Sequence, residues 1–172
     1  MKTQSQCAIA ILLLLVNSSA IARETDWSQW RGKDGRGMSL ESGLLRSWPD
    51  GGPKELWKTS AIGNGYCSPI IVDDTIYVTG DIEDELMVFA LKPDGNIKWR
   101  TPNGFSWTQS FPGSRASCNY SNGKLYNVNA FGRLLCLSAA DGKPIWSVRL
   151  LEKYQSRGEA WGIIEMVVID DN

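Results

Sequence analysis

Side chains able to do chemistry are few in this chain, and one type is missing: its 172 residues include no histidine. A Ser–His–Asp triad, a Cys–His pair and an imidazole-ligated metal are therefore excluded. Asp81, Glu83, Asp84 and Glu85 form the one dense acidic cluster. Carboxylates at that spacing could hold Ca²⁺, but between two strands they read as a solvated loop. Arg115, close in sequence to Trp107, could bind a carboxylate or stack on a flat ring, or it could satisfy loop carbonyls. Gly32, Gly35 and Gly37 lack the preceding strand and following helix of a phosphate-cradling loop. Lys+Arg is 18 and Asp+Glu 19, a net charge of −1. That balance gives no surplus of positive charge to replace counterions on nucleic acid.

Gathering such dispersed groups is a matter for the fold, and the fold announces itself as a repeat. Trp57, Trp99 and Trp146 are spaced by 42 and 47 residues. The turn pairs Asp73-Asp74, Asn122-Gly123 and Asp170-Asp171 are spaced by 49 and 48. Two independent markers with nearly one period indicate a repeat of roughly 40–50 residues. Each unit reads as four strands. The first has Ser68–Val72, Thr75–Thr79, Leu86–Leu91 and Asn96–Arg100; the second has Ser117–Ser121, Lys124–Ala130, Arg133–Leu137 and Pro144–Arg149. Asn-Gly between two β-rich runs is a hairpin signal, because both residues tolerate positive φ. Leu86–Leu91 is apolar on both faces, as a strand must be when its sheet is sandwiched between two others.

The sequence therefore predicts an all-β chain: a partial β-propeller of four-stranded antiparallel blades, about two full blades plus flanking strands at Glu55–Ser60 and Glu165–Ile169. Residues 23–54 form an N-terminal segment leading into the propeller, and residues 55–172 hold the repeats. Trp57, Trp99 and Trp146 are expected to fill the wedges between blades, where a large flat side chain covers most area. The first strand of each blade lines the central channel, and the loop before it faces one mouth. The mouth candidates are thus Tyr66, Cys67 and Ser68, then Trp107, Arg115, Ala116 and Ser117, then Trp161 and Glu165.

Cys136-Leu137-Ser138-Ala139-Ala140-Asp141-Gly142-Lys143-Pro144-Ile145-Trp146 resembles the tryptophan-docking repeat of the PQQ-like, quinoprotein-type propellers. Gly142, Lys143 and Trp146 fall in its register, and the copy ending at Trp99 is one residue short. Asp26-Trp27-Ser28-Gln29-Trp30-Arg31-Gly32 is similar to the N-terminal segment of secreted bacterial members. The resemblance implies a ring near the upper end of blade number, so that this chain stops in mid-blade. It also implies two functions. One is an exported, non-catalytic scaffold without cofactor, offering loops and edges to a protein or carbohydrate partner. The other is the N-terminal part of a PQQ-dependent alcohol or sugar dehydrogenase that uses calcium. The alcohol-oxidising members carry an adjacent cysteine pair, which this chain lacks. Cys118 and Cys136, two strands apart, would be about 9–10 Å from each other, beyond the roughly 7 Å a disulfide tolerates.

Residues 1–22 read as an export signal. Lys2 supplies the positive start, Cys7–Val16 is an unbroken apolar run of ten, and Ala20-Ile21-Ala22 is a small-x-small cleavage site. Ten apolar residues are too few to cross a bilayer, which takes about 20. The expected location is the periplasm or the cell exterior, with three thiols left after cleavage (Cys67, Cys118 and Cys136) acting as small buried hydrophobes. An open final blade would permit self-association. The native protein from its source is expected to have an intact mass well above the 19.1 kDa of this chain. A mass at or below that value would mean that the repeats close a ring only by assembling with other copies.

Overall fold

The computed structural model describes residues 26–158 and 160–170. The expected export signal, and Asp171 of the last turn marker, lie outside the described residues. Two four-stranded antiparallel sheets follow one another in simple meander order. The first holds β1 (Ile70–Val72), β2 (Thr75–Ile82), β3 (Glu85–Leu91) and β4 (Ile97–Phe105). The second holds β5 (Asn119–Ser121), β6 (Lys124–Val128), β7 (Arg133–Ser138) and β8 (Pro144–Arg149), after which α1 (Leu150–Lys153) makes a single helical turn.

Local chemistry sets the hairpins. Asp73 and Asp74 both have positive φ (47° and 56°), as do Asn122 and Gly123 (48° and 74°). That backbone twist matches the strands on either side. Strand β3 is then buried on both faces. Leu86, Val88 and Ala90 join Ile70, Val72, Leu125, Leu135 and Leu137 in the core between the two blades. On the other face Met87, Phe89 and Leu91 pack with Val78, against Ile62 and Cys67 of the preceding loop. Each fully buried Val, Leu, Ile or Phe among them contributes about 1.5–3 kcal/mol by leaving water. Cys118 and Cys136 are buried and Cys67 half-buried, all as free thiols.

One tryptophan clamps the blades together. Trp99 at the outer strand β4 lies flat on the turn at Gly142, donating its indole N–H to the Ala139 carbonyl at 3.2 Å. A Cβ on Gly142 would lie 2.5 Å from the ring, so no other residue fits beneath it. Thr101 Oγ1 adds a bond to the Gly142 carbonyl at 2.7 Å. Trp57 repeats this arrangement one unit earlier. Its N–H reaches the Pro93 carbonyl at 2.6 Å, and a Cβ on Gly95 would come within 2.6 Å of its ring. Trp146 is 44% exposed and meets the Tyr126 ring at 5.9 Å.

Four strand expectations need correction. Glu55–Ser60 and Glu165–Ile169 are not strands. A strand exists only through a hydrogen-bonded neighbour, and among the described residues neither segment has one. β1 and β5 begin at Ile70 and Asn119, two residues later than expected. Their predicted first residues bond sideways instead: the Ser68 N–H donates to Ser117 Oγ at 2.9 Å.

The N-terminal segment also does more than lead in. Trp27 pairs with Ile71 through two backbone bonds of 2.8 and 3.0 Å, and the Tyr120 N–H donates to the Ser28 carbonyl at 2.8 Å. Asn119 reaches Gln29 Oε1 at 3.1 Å. Residues 27–29 therefore run along the inner edges of both sheets, leaving β4 and β8 as the outermost strands. Among the described residues no helix is long and apolar enough to cross a membrane.

Replacing Trp99 by alanine is expected to lower stability by roughly 3 kcal/mol, and replacing Trp146 by under about 1 kcal/mol. Urea unfolding of the two variants measures the difference, and equal losses would mean that the glycine turn beneath Trp99 adds nothing.

Candidate functional site

Because each blade runs as a meander, the loops that connect one blade to the next emerge on one face, beside the β2–β3 and β6–β7 turns. Three of these connections carry the mouth candidates, and β2 gathers two of them. The Asp81 backbone exchanges bonds of 2.7 and 3.0 Å with Asn64. Asn64 also accepts from the Ser114 N–H at 3.2 Å, and the Tyr66 N–H donates to the Ser114 carbonyl at 2.8 Å. This close stacking depends on Gly80, where a Cβ would sit 1.7 Å from the Ile62 carbonyl oxygen. The third connection is tied in by the Ile163 N–H, which donates to Ala130 at 2.9 Å.

Trp107 forms the base of this cluster of loops. It is 4% exposed, packs on Phe131 with ring centres 5.6 Å apart, and donates its indole N–H to Ser110 at 3.0 Å. Arg115 lies over that ring at 5.5 Å. Its Nη2 is committed to the carbonyls of Ser110 (2.6 Å) and Phe111 (2.7 Å). The structure thus gives Arg115 the loop-bracing role alongside the stacking one. Ser117 is buried and holds Ser68. Cys67 Sγ sits between the backbone groups of Thr79, 3.2 Å from its oxygen and 3.3 Å from its nitrogen. Ala116 is buried, and its carbonyl accepts from Thr79 and Asn127. Glu165 is exposed and makes only a local bond, accepting the Ile164 N–H at 3.2 Å.

What faces outward at the mouth is aromatic. Tyr66 is 65% exposed and Trp161 54%. Phe111, which sequence reasoning did not select, is 64% exposed and stacks on Trp161 at 6.0 Å and 27°. Its positive φ of 52° is set by the loop that Arg115 braces, a feature with no signature in the residue itself.

Asp81 is a residue that the sequence placed wrongly. It belongs to β2 and is buried, not part of a solvated acidic loop; only Glu83, Asp84 and Glu85 are exposed. Its Oδ2 accepts the Trp107 backbone N–H at 3.2 Å. Burial pushes the Asp81 carboxyl up to about 6, against the pull of the Trp107 N–H and the Arg115 charge. Calcium takes about six to eight oxygens, yet among the described residues no three His, Cys, Asp or Glu side chains come together. With one Asp81 oxygen on Trp107 and the Arg115 guanidinium on loop carbonyls, the described residues do not fit a calcium-held quinone.

The Asp81 shift has a sign. Folded protein holds a proton on Asp81 that the unfolded chain releases above about pH 4. Stability should fall as pH rises from about 4 to about 6 and stay level above that. Asp81→Asn is expected to flatten this slope and to raise stability at pH 7 by on the order of 1–2 kcal/mol. Thermal melts across pH 4–8 check both, and an unchanged slope in the variant would assign it to other groups.

Comparison with known proteins places the chain. Residues 88–172 match the family model described as "Outer membrane protein assembly factor BamB". No protein of curated function matches the chain. Among solved structures, a quinohemoprotein alcohol dehydrogenase from Comamonas testosteroni is 22% identical, with 78% of this chain and 21% of that chain covered and a TM-score of 0.49. A europium-containing methanol dehydrogenase is 23% identical over 54% of this chain and 17% of that one, at a TM-score of 0.44. BamB from Moraxella catarrhalis is 19% identical over 47% and 22%, at 0.36. The chain thus spans about a fifth of the length of each of these structures. With two antiparallel four-stranded blades joined by Trp99 on the Gly142 turn, and the match over residues 88–172, that stretch carries repeats of the PQQ-like β-propeller family.

Proposed function

We propose that this chain is part of an exported, non-catalytic propeller-repeat protein of the periplasm or cell exterior, whose blades act as a scaffold and whose aromatic mouth engages a protein or carbohydrate partner. One observation carries the reading. Tyr66, Phe111 and Trp161 are all more than half exposed on loops whose polar groups bond inward. Exposed aromatic rings suit adhesion, through stacking on a sugar face or burial against a partner. Acid–base or redox chemistry would need polar groups presented outward, whereas Arg115 and Asp81 are turned to the loops they brace.

Titrating the full chain with PQQ and Ca²⁺, with dye-coupled oxidation of a primary alcohol as readout, tests this against the dehydrogenase reading. The expected result is neither saturable binding nor dye reduction. Saturable binding together with alcohol-dependent dye reduction would make the chain the N-terminal part of a quinoprotein dehydrogenase.

A further inference from the structure

Strand pairing places Arg133 on β7 directly opposite Arg149 on β8. Like charges directly opposite one another on paired strands are destabilising. Arg149 meets Glu152 in an exposed pair at 3.2 Å. Arg133 has no carboxylate partner among the described residues; its Nη1 lies 3.4 Å from the Asn103 amide oxygen. These two guanidiniums line a groove of about 590 Å³ between the upper ends of β4 and β8, together with Phe105, Phe131 and Ser147. Below, the same interblade wedge is filled by Trp99 on Gly142; above, it is open.

The groove is built on a rigid floor. Asn103 is fully buried and donates to Asn127 Oδ1 at 2.9 Å. Asn129 donates to the Asn103 carbonyl at 2.8 Å. The Asn129 side-chain oxygen in turn accepts the backbone N–H groups of Phe131 (3.0 Å) and Arg133 (2.8 Å). Asparagines on both blades thus fix one phenyl ring and one guanidinium relative to each other. Phe105, 75% exposed, forms the apolar wall from the other blade. In the repeat register, where Cys136-Leu137 stand at Ala90-Leu91, Arg133 falls at Met87 and Ser147 at Arg100. The corresponding groove of the first blade carries Arg100 beside Glu83, Asp84 and Glu85. The excess of positive charge, two guanidiniums against the one carboxylate of Glu152, is therefore particular to the second blade and not a requirement of the repeat.

We propose that this groove binds an acidic peptide segment of a partner protein: a carboxylate bridges Arg133 and Arg149 while an adjacent apolar side chain lies between Phe105 and Phe131. A planar carboxylate suits guanidinium forks and would relieve the repulsion between the two arginines. The phenyl walls favour a peptide over a bare anion, which would leave them in water. This site touches the packing beneath the mouth through Phe131 but uses none of the exposed rings there, and it does not depend on their role.

Fluorescence anisotropy of a labelled Glu-Phe-Glu-Asp peptide with the full chain at low salt tests the proposal. Saturable binding is expected, weakened roughly tenfold by Arg149→Gln and by Arg133→Met, and strengthened by Glu152→Gln. Arg149 is exposed, so its variant keeps the test informative even where Arg133→Met disturbs the network beneath. Equal affinity in both arginine variants would overturn the proposal. So would equal affinity for a peptide with alanine in place of phenylalanine, which would indicate a site for bare anions. Concentration-dependent doubling of mass, abolished by Arg149→Gln and not competed by the peptide, would overturn it in favour of a second copy as occupant.

Discussion

The contact on which the rest of this structure depends is an indole lying on a glycine turn. Sheets in a meander hold themselves together sideways, but nothing in a ladder of backbone bonds joins one sheet to the next. Apart from the backbone bonds of residues 27–29 and of the Tyr66–Ser114 loops, that joint is made by side chains. Interdigitated apolar residues fill its inner part, where the blades lie close. At the outer strands they splay apart, and only a ring as broad as Trp99, seated where Gly142 has no Cβ to hold it off, spans the gap. The indole N–H then finds the Ala139 carbonyl, which also accepts the Tyr77 hydroxyl at 3.3 Å. One turn thereby receives polar and apolar contacts from the neighbouring blade at a single point. The angle fixed there determines how the loops at the opposite ends of the strands meet, and so the shape of the mouth.

Much of this was legible in the sequence because it is local. Asn122-Gly123 and Asp73-Asp74 carry their own backbone preference, and the spacing of tryptophan to turn survives the one-residue deletion before Trp99. The parts that were not legible depend on partners far away in the chain. Asp81 sits among other acidic residues and reads as solvated, yet pairing of β2 with β3 continues through Ile82, and Asn64 covers it from the preceding loop. Glu165–Ile169 has the composition of a strand and lacks a neighbour among the described residues. Phe111 has no distinguishing context at all; its exposure follows from a loop braced by an arginine four residues on.

The two blades also show how a repeat separates what is structural from what is free to vary. Inward positions of the third strand keep their character: Phe89 and Leu91 in β3, Leu135 and Leu137 at the same places in β7, all buried. Positions at the open ends of the wedges do not. The first groove carries three carboxylates and one guanidinium, the second two guanidiniums and one carboxylate, placed at different positions of the repeat. Nothing in the packing demands either choice, so these rims are where one blade can acquire a property that its neighbour lacks.

The strip of backbone at residues 27–29 bears on the order in which the molecule can be made. Its partners are distant: Trp27 bonds Ile71, 44 positions later, and Ser28 bonds Tyr120, 92 positions later. Such long-range closure is slow compared with hairpin formation. The earliest of these residues to be synthesised are thus among the last to find their places, since the second sheet must exist before its inner edge can receive them. Until then both inner edges remain unpaired, and an unpaired edge is a template for other chains. The chain therefore cannot close upon itself from its leading end, and its innermost seam is sealed only after most of both blades has been made.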